Sequence, residues 1–337
     1  MSQSATARAY VNIALVKYWG KRDLALNLPA AGSLSLTLDE LYSTTTVSVA
    51  GGDDELANDQ LLIDGELASA GVLNKALRVV DPLRARAGLV GRPVSIVSDN
   101  TVPTAAGLAS SASGLAALTV ATAAACGLDL SLGELSTLAR QGSGSACRSL
   151  FGGFARWDAG DRDDGKDSRA RPLFDRDHWD LRVVVALVSS RKKSASSTDG
   201  MGHTKATSPY HAGFVASVDK DLDDAEAAIG ARDFSALARV AERSCLRMHA
   251  AMLAADPPLS YLRWQSWRVI EVVRELQRRG VAVFFSADAG PNVKLFCLPE
   301  ALPAVQQALS SLCDEGLLED TLETRPGPGA EVLEVSS

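Results

Sequence analysis

Residues 103–114 constrain the fold more than any other stretch. The run Pro103-Thr104-Ala105-Ala106-Gly107-Leu108-Ala109-Ser110-Ser111-Ala112-Ser113-Gly114 sets small residues and hydroxyls at the predicted entrance of a helix. Val94-Ser95-Ile96-Val97 before it reads as a short strand. Leu115 to Cys126 after it is apolar and Ala-rich, and Gly127 is a helix stop. Strand, Gly/Ser loop, helix is a layout that leaves backbone N–H groups pointing at an anion, with about half a positive charge from the helix dipole at that end. Small side chains at 105–107 and 109–113 let the backbone approach a phosphate closely. Ser110, Ser111 and Ser113 can donate to phosphate oxygens or hold a hydrated metal ion. An N-cap leading into a buried Ala-rich helix accounts for the same residues without a ligand, so the stretch alone leaves both readings open. It is not a Walker A loop, which ends in Lys followed by Ser or Thr. The decoy Gly160 to Gly165-Lys166 is followed by Asp167 and reads as a solvated loop.

Length and charge narrow the classes. A chain of 337 residues can bury a large core, as one big domain or two closely joined ones. It has no apolar run of about 18 residues and no apolar signal core at its start, so a cytoplasmic protein without membrane attachment is expected. A net charge of −7 argues against a nucleic-acid surface, but a few cations in a cleft can still hold a small anion. The five cysteines are scattered, odd in number and without a CxxC pair, which predicts reduced thiols. The four histidines show no metal-ligand spacing with them, and no zinc site is expected.

Along the chain, strands are predicted at Thr6 to Ala14, Ser43 to Val49, Phe151 to Trp157, Leu181 to Ser189, Val281 to Phe285 and Val293 to Leu298. Helical periods run through Gly71 to Ala87, with Pro82 a possible break, and from the capping box Ser131/Glu134 to about Arg140. Further helices are read at Asp219 to Ile229, stopped by Gly230, at Ser235 to Leu253, at Leu259 to Arg279 and at Ala301 to Leu312. Two short strands close the chain, and Asp158 to Asp177 reads as an exposed excursion. Strands and helices mix without regular alternation, which favours an α+β fold of helices on mainly antiparallel sheet.

Four more segments carry chemically suggestive residues. Asn12 to Asp23 holds Lys17 and Lys21 around Tyr18-Trp19, after an apolar strand. A lysine at a strand end can serve a phosphate as a compact charge, or simply be solvated. In Arg140 to Ser149, Ser143-Gly144-Ser145 with Arg148 behind it is a second anion cradle or a polar capping loop. Asp288, in Ser286 to Asn292, can face a cleft or form an Asx turn. Lys192 to Met201 is a Lys/Ser loop of the kind that ordinarily forms surface.

Together these motifs resemble the superfamily of galactokinase, homoserine kinase, mevalonate kinase and phosphomevalonate kinase, and within it the diphosphomevalonate decarboxylases. The resemblance rests on Thr-Ala-Ala-Gly-Leu-Ala-Ser-Ser at 104–111, Val-Lys-Tyr-Trp-Gly-Lys-Arg-Asp at 16–23, Gly-Ser-Gly-Ser-Ala-Cys-Arg-Ser at 142–149, Ala-Asp-Ala-Gly-Pro-Asn at 287–292 and Ser-Ser-Thr-Asp-Gly-Met at 196–201. It runs from about residue 5 to 325–329, and only 158–177 departs from it. It implies two closely joined subdomains, 1–177 and 178–337, with a deep active-site cleft between them. It implies Asp288, Lys17, Arg148 and Asn12 as the catalytic group, with Arg148 gripping a carboxylate. Tyr18, Trp19, Lys21, Ser143, Ser145 and Ser197 would contact the substrate. Pro103, Ala105, Ala106, Gly107, Leu108, Ala109, Ser110, Ser111 and Ser113 would hold the phosphates of ATP, with Ser111 on Mg2+; Cys147 would be packing. The implied activity is ATP-dependent decarboxylation of mevalonate 5-diphosphate to isopentenyl diphosphate by a homodimer. The alternatives are a kinase that stops at the 3-phosphate, a decarboxylase of the monophosphate, or a non-catalytic sensor. The Asp288→Asn protein is expected to fold normally and lose turnover by several powers of ten.

Overall fold

The computed structural model describes residues 3–51, 56–101, 110–190 and 196–336. Within them the chain runs β1 (Gln3–Val16), β2 (Lys21–Asp23), β3 (Leu28–Pro29), β4 (Ser33–Val49), β5 (Gln60–Ile63), β6 (Glu66–Leu67), α1 (Ala70–Arg86), β7 (Val94–Asn100), α2 (Ser110–Ala125), α3 (Leu132–Gly142) and β8 (Phe154–Trp157). It continues through β9 (Ala170–Phe174), β10 (Arg182–Leu187), α4 (Ser197–Thr207), α5 (His211–Ala231), α6 (Phe234–Leu253), α7 (Trp264–Arg278), β11 (Val283–Ala287), β12 (Val293–Cys297), α8 (Leu302–Asp314), β13 (Asp320–Thr324) and β14 (Glu331–Ser336).

Two large sheets and three helical layers alternate, and β2 and β3 form a separate two-stranded sheet. The first sheet has the order β14-β1-β4-β7-β5-β6, with β8 paired to β4 and β9 to β8. The second is β11-β12-β10-β13. Only β5 and β7 pair in parallel among these strands, so the mixed α+β expectation holds. Helices α1, α2 and α3 cover one face of the first sheet through Val79, Leu83, Leu118 and Leu138. Helices α5 and α6 fill the space between the sheets with Val218, Leu222, Val240 and Met248, and α7 and α8 close the second sheet through Val273, Leu276, Val305 and Leu309. Strand β10 shows why its sequence reads as an unbroken apolar run. Val183 and Val185 face the middle layer, while Val184 and Ala186 face α7 and α8. A strand covered on both faces has no polar side.

The β1–β4 ladder changes face part-way. Its pairing moves from Tyr10↔Tyr42 to Asn12↔Thr37, and Glu40 in the offset sits at φ 62°. Before the irregularity Ala5, Ala7 and Ala9 pack towards α1–α3; after it Val11, Ile13 and Leu15 pack into the middle layer. The alternate position, Asn12, then faces residues 145–149, where a polar side chain finds partners.

Several boundaries differ from the sequence reading. β4 begins at Ser33, ten residues early; Ser33 to Leu38 alternates polar and apolar as a strand does, and both sets are buried. Pro82 lies inside α1 without ending it, since buried Val79, Val80 and Leu83 anchor the turns on either side. Gly230 does not stop α5; the helix ends at Arg232, in the left-handed region at φ 54°. The glycine is there for space, because a Cβ would meet the Phe174 ring at 3.2 Å. The excursion 158–177 contains β9 and is anchored by buried Arg140, which donates to the carbonyls of Gly165 and Ser168. The decoy loop is therefore docked at Gly165, although Asp161 to Asp164 are exposed. Strand β14 pairs with β1 of the first sheet, across the expected division at 177. The Ser131/Glu134 capping box is formed in both halves.

Candidate active site

The site begins where β1 ends. The Lys17 backbone N–H donates to Ser244 Oγ of α6 at 2.9 Å, and its side chain is buried. Its Nζ lies 2.6 Å from Asp288 Oδ1. Asp288 occupies the turn between β11 and β12. Ala287 fixes that turn from behind, its N–H donating to Cys245 Sγ at 3.2 Å, and the Ser286 hydroxyl donates to the Ala14 carbonyl at 3.0 Å. A second buried lysine, Lys294 of β12, stands 3.4 Å from Asp288 Oδ2. Burial opposes ionisation of Asp288, but the two ammonium groups outweigh it and hold the carboxyl well below the usual carboxylate range.

Across the cleft stands Arg148. Its Nε and Nη2 donate to Asn12 Oδ1 at 3.2 and 3.0 Å, and its Nη1 donates to the Ser33 hydroxyl. Asn12 spends its own amide on Ser145 O and Ser149 Oγ, at 3.0 and 2.7 Å. Three of the five guanidinium N–H donors are thus engaged, and the planar group is locked in one orientation. The Ser143 and Ser145 hydroxyl oxygens, 3.4 Å apart, line the same wall. Tyr18 packs edge-on against Trp157 at 4.9 Å, and its buried hydroxyl, also on the cleft, has no hydrogen-bond partner among the described residues. Burial pushes that phenol up, so it remains a proton donor.

The outer rim gathers charge. Gly20, at φ 126° and with no room for a Cβ beside the His211 ring, turns the chain so that Lys21 reaches the rim. Lys21 Nζ lies 3.4 Å from Thr198 Oγ1. Lys75 and Arg78 of α1 line the same rim with Ser111 of α2. Burial, then the repulsion of Lys75 and Arg78, lowers the Lys21 ammonium to about 8. Ser197 is the first residue of α4, whose N-cap Ser196 accepts from the Asp199 N–H. The whole cleft measures about 930 Å³.

The structure brings Asn12, Lys17, Tyr18, Trp19, Lys21, Ser111, Ser143, Ser145, Arg148, Ser197 and Asp288 into this one cleft. Trp19 forms part of its floor and spends its indole N–H on Thr204 Oγ1 at 3.1 Å. Ser113 does not join them. It is buried, with its hydroxyl oxygen 2.8 Å from that of Ser43, because two positions along a helix turn a side chain to the opposite face. Pro103, Ala105, Ala106, Gly107, Leu108 and Ala109 lie outside the described residues, as do Lys192 and Lys193; of Ser110 only the backbone, opening α2, is described. Sequence reasoning missed Ser33, Lys75, Arg78 and Lys294. Lys75 and Arg78 sit in an ordinary amphipathic helix and give no signal. Lys294 did give one: a single charge inside the apolar run Val293 to Cys297.

Behind the Asp288 turn, His249 of α6 is buried with Nε2 3.4 Å from the Ala287 carbonyl. Burial, then the charge of Lys17, lowers its imidazole from 6.5 to about 4. Between those two values the unfolded chain binds a proton that the folded chain refuses. Stability contributed by neutral His249 is present above about pH 6.5 and falls, by about 3 kcal/mol, as the pH drops to 4. Thermal melts at pH 7 and 4.5 should converge for His249→Gln; an unchanged pH slope would contradict this.

Cations gathered around one carboxylate, at the base of a cleft sized for small molecules, define an enzyme that works on a compact anion. Comparison with known proteins narrows the class. A model of the diphosphomevalonate decarboxylase-like N-terminal domain matches residues 9–170, and one of the mevalonate 5-diphosphate decarboxylase C-terminal domain matches 183–329. Diphosphomevalonate decarboxylase of Candida albicans is 41% identical over 306 residues, covering 87% of this chain and 84% of its own. Mevalonate diphosphate decarboxylase from Staphylococcus aureus superposes with a TM-score of 0.91 at 39% identity, over 99% of each chain. A structure described as MDDEF in complex with MVAPP, AMPPCP and magnesium superposes with a TM-score of 0.90 at 39% identity, over 99% of this chain and 100% of that one. The chain belongs to the diphosphomevalonate decarboxylase family.

Proposed function

We propose that the chain decarboxylates mevalonate 5-diphosphate to isopentenyl diphosphate, using ATP and releasing ADP, phosphate and CO2. The observation that carries this reading is the Lys17–Asp288 pair, 2.6 Å apart, in the same cleft as Arg148 and the Ser143–Ser145 wall. The substrate is a tertiary alcohol with a carboxylate two carbons away, and hydroxide is a poor leaving group. Transfer of the γ-phosphoryl group to the alcohol oxygen makes it a good one. The carbon–oxygen bond then breaks, phosphate leaves with the electron pair, and positive charge develops on the tertiary carbon. Next the bond to the carboxyl carbon breaks, and its electron pair forms the alkene as CO2 departs.

The residues divide the work as follows. Arg148 holds the carboxylate with the donors that Asn12 and Ser33 leave over. Ser143, Ser145, Tyr18 and Lys21 take the diphosphate, with Trp19 as floor and Ser197 on the opposite lip. Asp288, kept ionised by its lysines, is a weak base. Its task is to accept the hydrogen bond of the alcohol, whose proton leaves late in a loose phosphoryl transfer, and to face the cationic carbon with negative charge. Lys17 fixes Asp288 and neutralises the transferring group. The rim cations Lys75 and Arg78 and the N-terminus of α2 suit a triphosphate; the residues 103–111 and Ser111 belong to this part of the reading. Magnesium, when bound with the nucleotide, neutralises phosphate charge, and a hydroxyl such as Ser111 suits it. Among the described residues no cluster of His, Cys, Asp or Glu offers a separate metal site. The family ranges support a division near residue 177, though β14 returns to the first sheet. We further read the protein as a cytoplasmic homodimer; no described helix is long and apolar enough to cross a membrane.

The test supplies ATP with mevalonate 5-phosphate or 5-diphosphate and measures ADP, phosphate and CO2. Equal yields of all three from the diphosphate, and little from the monophosphate, are expected. ADP without CO2 would make the chain a kinase. Lys21 adds a pH signature. Its charged form binds the diphosphate, so kcat/KM should fall as the pH rises through about 8. Lys21→Arg should move that limb beyond the assay range; a limb that stays in place assigns it to another group.

A further inference from the structure

We propose that Lys294 is a positioning residue: its buried ammonium group, set between Asp288 Oδ2 and the Asn292 carbonyl, fixes the Asp288 carboxylate in the orientation it presents to the reacting alcohol. The inference rests on the role given to Asp288 above.

Lys294 lies mid-strand in β12, paired with Ser286 of β11 and Val185 of β10, and is 1% exposed. Val293 and Leu295 on either side are wholly apolar and buried. A Met there would fill similar space without the several kcal/mol that it costs to bury an ammonium ion. The charge needs a reason, and the geometry supplies one. Nζ stands 3.4 Å from Asp288 Oδ2 and 3.3 Å from the Asn292 carbonyl oxygen. Asn292 is itself clamped, its Oδ1 accepting from the N–H groups of Val188 and Ser189 at 2.8 and 3.0 Å. Each carboxylate oxygen of Asp288 thus meets its own cation, Lys17 from the first sheet and Lys294 from the second. One lysine alone would leave the carboxylate free to rotate about χ2; two from opposite sides hold its plane.

The other groups that face Asp288 do not replace this contact. Arg148, opposite, is committed to Asn12 and Ser33. Cys245 and His249 of α6 lie behind the Ala287 carbonyl; burial keeps the thiol protonated, and the imidazole is neutral above about 4. Between pH 5 and 8 the charges felt by Asp288 are Lys17, Lys294 and Arg148.

The test compares the unmutated chain with Lys294→Met and Lys294→Gln, using mevalonate 5-diphosphate and ATP. Lys294→Gln keeps a hydrogen-bond donor and serves if the Met variant does not fold. In either variant kcat should fall about 10- to 100-fold, the scale of a misplaced reacting group, with both KM values within about twofold. A merely structural lysine would lower the melting temperature and leave the kcat of the folded fraction unmoved. Unchanged kcat, or a loss confined to KM, overturns the assignment while the unmutated enzyme still turns over. An unmutated chain that makes no CO2 overturns the proposed function, and this inference with it.

Discussion

Asp288→Asn is expected to lose turnover by about three or more powers of ten while KM for ATP stays within a few-fold. Among the described residues, the carboxylate is the one negative group beside Lys17, Lys294 and Arg148 in the reacting region. An amide keeps the shape and removes the charge. It can still touch the alcohol, but it no longer favours a cationic carbon, and three positive groups then oppose that charge. The two ion pairs also predict a cost in stability, with the fold retained. Without the carboxylate, two lysines that are 1% exposed lose the negative charge that both of them meet. The loss should be about 3 kcal/mol, at the low end of the range for a broken buried ion pair, because Asp288 itself is 28% exposed to the cleft. A melting temperature lower by several degrees, together with the lost turnover, is the expected pair of results. Near-normal activity in an ATP-coupled assay would refute the assignment of Asp288.

Arg148→Lys is expected to lower kcat/KM for mevalonate 5-diphosphate about 100- to 1000-fold, chiefly through KM, because two charge-assisted hydrogen bonds disappear. A lysine keeps one positive charge but cannot bridge Asn12, Ser33 and a carboxylate from one plane. Asn12 Oδ1 would lose both of its guanidinium donors. Calorimetric binding of ATP should be unaffected. A kinetic loss shared equally between the two substrates would mean that Arg148 organises the cleft as a whole and does not grip the carboxylate.

Local pattern made much of this site legible. Lys17 and Tyr18 follow a strand whose apolar run announces its end, and Ser143, Ser145 and Arg148 follow a helix with a readable capping box. Asp288 stands in a turn marked by Gly290 and Pro291. What the sequence hid was tertiary. Ser113 looks like its neighbour Ser111, and only the helical phase set by Ser43 on β4 sends it inward. Ser33 was invisible as the partner of Arg148 because they are separated by 115 residues. Gly230 looked like a stop and is a packing space for Phe174. Lys294 carried its signal openly, a charge in a buried strand, but its partner Asp288 is brought beside it only by the fold.

The central claim is that ATP acts on the tertiary oxygen before CO2 is lost. Mevalonate 5-diphosphate labelled with 18O in its tertiary hydroxyl tests it most directly. One atom of 18O in each inorganic phosphate released, in step with CO2, is the predicted result. Label appearing in water, with unlabelled phosphate, would contradict it.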